Sequence, residues 1–221
     1  MVSTGAVIGV AGVALGMVLT PGPNMVHLVS RSVAQGRRAG LIALAGVAAG
    51  FGVYLVAAVA GIAAVFAVVP ALYAAVKFAG AAYLLWLAWR VVRPGAAPML
   101  GGAVARGEAV RAEGAGRLFS GGLVTNLLNP KIAVLYVSLL PQFVDPARGG
   151  AAAQSLVLGL VQIAVAVSVN ALFVVSAGSI AGFVGRRPVW ARVQRYLTGT
   201  VLAAVAVRVA VDRSGPVAAA A

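Results

Sequence analysis

The sequence predicts an all-α membrane protein: six transmembrane helices forming two inverted three-helix repeats, with the first and fourth helices broken. Three observations predict it. Hydrophobic residues make up 62% of the 221 residues and charged residues 10%, where a soluble domain carries about 25% charged. The stretches 1–30, 39–76 and 149–185 hold no charge, and the second and third exceed the roughly 20 apolar residues that a bilayer crossing needs. Two helix breakers, TPGPN at 20–24 and LLNPK at 127–131, each interrupt an apolar run that resumes beyond them.

The elements follow in order. Apolar runs place spans at 5–29, 39–69, 71–92, 118–144, 152–184 and 189–211. The first span has no basic segment before it and no cleavage site, so it reads as retained rather than as a signal peptide. The second and fifth are long enough to tilt. Pro70 and Pro188 stand where the third and sixth helices open, a position that tolerates proline. The Pro/Gly/Ala-rich segment 93–117 reads as the one substantial loop. The predicted units are a first repeat over 1–92, that loop, and a second repeat over 118–221.

Charge sets the orientation. Arg31, Arg37 and Arg38 follow span one; Arg90, Arg93, Arg106, Arg111 and Arg117 follow span three; Arg186, Arg187 and Arg192 follow span five. The other side has only Arg148, Arg208 and Arg213. Positive loops stay in the cytoplasm, so both termini are predicted outside. The net charge of +13 would suggest nucleic acid in a soluble chain, but here it is explained by these loops. Cysteine is absent and there is one histidine, which excludes thiol redox chemistry and leaves no metal-ligand cluster. No cofactor is predicted, and no nucleotide-binding motif is present.

The halves resemble each other. Residues 19–21 (LTP) align with 128–130 (LNP) at an offset of 109, and Pro70 with Pro188 at an offset of 118. Three spans per half is an odd number, so the second half enters the membrane from the opposite face, as in many secondary transporters. The breaks fall about 22 Å and 18 Å into their spans at about 1.5 Å per residue, so both land inside the bilayer. Unwound backbone at that depth must be buried in protein or line a cavity. It frees N–H groups at one half-helix and C=O groups at the other, a pairing suited to a zwitterion. Asn24, Asn126 and Asn129 add amides that donate or accept.

TPGPNMVHLVSRSVAQGRRAGLIALAGVAAG (20–50), TNLLNPKIAVLYVSLLPQFVD (125–145) and AGAAYLLWLAW (79–89) resemble, in order and over nearly the whole chain, the lysine exporter and homoserine–threonine exporter family (LysE/RhtB). The resemblance implies a bacterial inner-membrane exporter of amino acids or their derivatives, driven by the proton gradient. It also implies functional positions at Pro21, Gly22, Pro23, Asn24, Asn129, Pro130 and Lys131. The acids Glu108, Glu113, Asp145 and Asp212 fall in loops or at span ends. With no carboxylate at depth to pair a second positive charge, the expected substrate is neutral, of the threonine, homoserine or branched-chain kind.

Further polar residues within the spans are candidates for coupling or for structure. His27 follows Pro23 by four residues and titrates near neutrality, which suits a proton relay. Lys77 could bind a carboxylate, carry a proton or snorkel to the interface. Lys131 could serve the site or compensate freed carbonyls. Gln162, Ser168 and Asn170 could line the path or join helices. Gly46-x-x-x-Gly50 and Gly178-x-x-x-Gly182 suit close helix approach, in a homodimer or between spans two and five. The competing readings are a passive solute channel, or an exporter of another metabolite or of a metal.

Overall fold

The computed structural model describes residues 2–20, 22–62, 70–93 and 113–185, with separate helical positions within 193–211. Among these described residues every element is helical. Helix α1 (Thr4–Leu19) starts at Ser3, whose hydroxyl accepts from the Ala6 N–H at 3.1 Å. It stops at Thr20, which is extended, and α2 (Pro23–Gln35) restarts with proline in its first turn. Proline there lacks only an N–H that has no helical acceptor anyway. The two helices meet at 56°.

Helix α2 ends at Gly36, whose φ of +86° lets the chain reverse directly into α3 (Arg37–Ala57). A side chain would strain that backbone. A π-helical turn, Ala58–Ile62, prolongs α3. Helix α4 (Pro70–Val92) opens on the predicted proline. Its 23 residues give about 34 Å at about 1.5 Å each, the thickness of a bilayer core.

The second break matches the first. Helix α5 (Ala115–Leu127) stops before Asn129, and α6 (Pro130–Val134) runs on through a π turn, Leu135–Leu139, and a 3₁₀ turn, Leu140–Phe143. The bend is 54°. Helix α7 (Ala151–Gly185) runs for 35 residues. Segments Arg37–Ala60 and Ala151–Ala177 are each long and apolar enough to span a membrane, and so is each bent pair when its two helices are taken together. The expected sixth span is described only in part, and Pro188 and most of the loop 93–117 lie outside the described residues.

Large apolar side chains face outward along several helices: Ile8, Val56, Leu128 and Leu172 are each about two-thirds exposed or more. In water such a surface would aggregate; in lipid it is the solvent-matched face. At the end of α4 the guanidinium of Arg90 lies 5.2 Å from the Trp86 ring centre, and that of Arg93 lies 5.6 Å from Trp89. Tryptophan with arginine is the composition of a membrane-interface anchor.

Inside, α3 and α5 touch backbone to backbone. A Cβ added at Gly46 would overlap the Phe119 carbonyl, and one at Gly122 would overlap the Ala43 carbonyl. One at Gly50 would stand 2.7 Å from the Asn126 side chain. The face of Gly46 and Gly50, read from the sequence as a dimer or span two–span five contact, is therefore filled by the fourth span. Small-residue spacing says that something approaches closely, not what does. Spans two and five do meet, with Leu55 lodged against Gly159 and Val174 against Gly40.

Gly46→Val is expected to overpack this contact by about 1–3 kcal/mol or more and lower the melting temperature of the purified protein. Gly52→Ala, whose added Cβ meets nothing within 4 Å, should melt like the parent. Equal melting of both variants would contradict the packing described.

Candidate functional site

Where α1 unwinds, its last carbonyls lose their helical donors. Thr20 turns back on its own helix, its N–H and hydroxyl both reaching Gly16 O, at 3.2 and 2.7 Å. One side chain replaces two of the lost donors. The Lys131 ammonium, from the second break, donates to Met17 O and Thr20 O at 2.8 Å each. The two breaks are thus in direct contact. Lys131 is 5% exposed, and Gly22 makes room for it: a Cβ there would stand 3.0 Å from Nζ.

At the second break, Asn129 Oδ1 accepts the Lys131 N–H at 3.1 Å and caps α6. Asn129 N–H reaches Asn126 O at 3.0 Å. The Leu127 carbonyl accepts from the Tyr54 hydroxyl of α3 at 2.8 Å. Tyr54 stacks on Tyr136, with ring centres 5.5 Å apart, and the Tyr136 hydroxyl donates to Gln162 of α7 at 2.6 Å. Each broken helix is therefore closed by a side chain from a different span.

Between the breaks lies a cavity of about 30 Å³, room for about two waters. Its polar lining includes Thr20, Asn24, Asn129, Lys131, Gln162 and Asn170; Met17, Phe51, Ile132 and Leu135 form apolar walls. Two polar atoms of the lining are buried without a protein partner: Asn24 Oδ1 and Asn129 Nδ2. The bond from Asn129 Oδ1 to Lys131 N fixes that amide, so its free atom is a donor. Unpaired buried polar atoms are rare because each forfeits its hydration. One is an acceptor at the first break and the other a donor at the second, on residues that line the same cavity.

Of the residues singled out in the sequence, Gly22, Asn24, Asn129, Lys131, Gln162 and Asn170 line this cavity. Asn170 also donates to Ala166 O at 2.8 Å. Pro23 is exposed and off the cavity. Asn126 is fully buried against Gly50 rather than in the lining, and both of its amide atoms lack a protein partner. His27 lies over Gly121 of α5, outside the lining, with Nε2 unpartnered. Helical spacing does put His27 on the face of Pro23, but that face turns from the cavity while Asn24 turns toward it. Ser168 is exposed. Pro130 opens α6. Pro21, and the side chains of Pro130 and Lys77, lie outside the described residues.

Sequence reasoning missed Thr20, Tyr54 and Tyr136. A tyrosine inside an apolar span is a signal in itself, because its hydroxyl must find a partner when buried.

The LysE type translocator profile matches residues 15–213, a range that contains both breaks. The chain belongs to the LysE-type translocator family. It is 31% identical over 169 residues to the homoserine/homoserine lactone efflux protein of Salmonella typhimurium, covering 75% of this chain and 77% of that one. It is 29% identical over 201 residues to the leucine efflux protein of Salmonella choleraesuis, covering 91% and 92%. It is 35% identical over 132 residues to the leucine efflux protein of an Enterobacter species, covering 58% and 59%. No solved structure matches the chain. As a LysE-type translocator the protein is a membrane transporter and not an enzyme.

Tyr54→Phe leaves the Leu127 carbonyl of this translocator without its donor. The expected loss of stability is about 1–3 kcal/mol, the penalty of a buried unsatisfied group, read as a lower melting temperature in detergent. A variant as stable as the parent would show that the bond does not close the fourth span.

Proposed function

We propose that this translocator exports a small neutral amino acid of the leucine, threonine or homoserine kind from the cytoplasm, binding it between the two breaks. The observation that carries this reading is a pair of buried, unpartnered amide atoms, Asn24 Oδ1 and Asn129 Nδ2, on residues of opposite breaks that line one cavity. An α-amino acid presents the matching groups: an ammonium for the Asn24 oxygen and a carboxylate for the Asn129 NH₂. The first N–H groups of α2, which has no side-chain cap, favour the carboxylate further. Phe51, Ile132 and Leu135 suit an aliphatic side chain.

Charge supports a neutral substrate. Among the described lining residues there is a lysine and no carboxylate, so a second positive charge on the substrate would go unpaired in a low dielectric. The names of the relatives point the same way, toward leucine and homoserine efflux.

A cavity of about 30 Å³ does not hold an amino acid, so this is a closed form and binding requires the spans to part. In the proposed cycle the two three-span halves, 1–92 and 118–221, rock about the breaks. The basic loops lie in the cytoplasm, both termini lie outside, and entering protons drive export across the bacterial inner membrane. A passive channel would lack that drive, and protonophores would not affect its flux.

In proteoliposomes, leucine and homoserine should be transported faster when a pH gradient is imposed, and a protonophore should abolish the stimulation. Asn24→Leu removes one of the two amides and should lower transport about tenfold, the effect of losing about 1.4 kcal/mol of binding. Arginine or lysine transported in preference to the neutral amino acids would overturn the substrate assignment.

A further inference from the structure

Lys131 is the single charged side chain among the described residues lining the cavity. No carboxylate balances it there; it is held by main-chain oxygens of Met17 and Thr20. Those carbonyls sit at the C-terminal end of a half-helix, where the dipole favours a cation. An amino-acid substrate brings a second ammonium into the same small space. Two ammonium groups cannot share a site of low dielectric without strong repulsion.

We infer that Lys131 carries the coupled proton, its ammonium and the substrate's ammonium competing for the Met17 and Thr20 carbonyls. The inference rests on the export reading and supplies its coupling step. On the cytoplasmic side, entry of the substrate ammonium displaces the Lys131 head group. One N–H bond of the Lys131 ammonium breaks, the electron pair stays on Nζ, and the proton passes to cytoplasmic water. The zwitterion, of zero net charge, then crosses with a neutral lysine. On the outer side the substrate leaves, a proton from outside adds to Nζ, and the ammonium returns to the two carbonyls. One proton enters per amino acid exported, so both the membrane potential and the pH gradient drive the cycle.

The surroundings suit a residue that changes charge. Facing it, α1 and α2 present Met17, Thr20, Gly22 and Asn24; α3 presents Phe51; α7 presents Gln162 and Asn170. None of these titrates. Tyr136 on its own segment is bonded to Gln162, and Tyr54 to Leu127 O. His27 lies over Gly121, toward the Arg31–Glu113 ion pair of 2.8 Å and away from the cavity. That placement makes Lys131, rather than His27, the coupling group.

The test is proton release by the wild-type protein in weakly buffered detergent solution. Leucine added to saturation should release up to one proton per site, and the amount released should vary with pH. In proteoliposomes at zero membrane potential, a gradient of one pH unit should support about tenfold leucine accumulation, because one pH unit is a factor of ten in proton activity. Lys131→Gln keeps an amide donor for the carbonyls but cannot titrate. It should exchange internal for external leucine more slowly than wild type, and show no accumulation and no proton release.

Leucine binding to wild type without proton release at any pH at which the protein stays folded would overturn the coupling role and leave the export reading standing. Accumulation by Lys131→Gln equal to wild type would do the same. Should that variant fail to fold, the wild-type release decides. Absence of binding by both leucine and homoserine would overturn the export reading, and the coupling role with it.

Discussion

A carbonyl freed inside a bilayer has no water to turn to, and the two unwound turns free several. That constraint organises the centre of this protein. Lys131 takes up Met17 O and Thr20 O, and Tyr54 takes up Leu127 O. Left open, each would lose about 1–3 kcal/mol, so the breaks persist only because other spans supply donors. Closure by neighbours also ties the spans together. The first span cannot shift against the fourth without breaking the bonds of Lys131, and the fourth cannot shift against the second without breaking that of Tyr54.

The close approach of α3 and α5 makes these bonds possible. Phe119 and Ala43 carbonyls press on Gly122 and Gly46 where any side chain would intrude, so the second break is held against a rigid second span. The polar site is thus built on packed helices at every side except the cavity itself. Asn24 Oδ1 and Asn129 Nδ2 remain without a protein partner on residues that line the cavity, while the Met17, Thr20 and Leu127 carbonyls are bonded. In the proposed cycle the unpaired atoms await a zwitterion, and the lysine that closes the first break gives way when one arrives.

Much of this was legible in the sequence. Pro-Gly-Pro at 21–23 and Asn-Pro at 129–130 cannot wind through, and the helices stop at both. The charge-free stretches marked spans two and five. Lys131 stood beside a breaker, and its task of compensating carbonyls was one of two readings. What the sequence could not carry was partnership. Tyr54 is 73 residues from Leu127 along the chain, and nothing local tells a tyrosine which carbonyl it will meet. Gly46 and Gly50 announced a tight contact without naming α5. His27 was placed correctly on its helix, four residues from Pro23, but whether that face looks into the cavity depends on how α2 is rotated against α5, a tertiary fact.

The account stands most directly on a structure determined in lipid nanodiscs with saturating leucine. It predicts two unwound turns in contact near the midplane, with the amino acid between Asn24 and Asn129, its carboxylate at the Asn129 amide and its ammonium shared by the Asn24 oxygen and the Met17 and Thr20 carbonyls. Continuous helices through 20–24 and 128–131, or breaks facing lipid with leucine bound elsewhere, would contradict it.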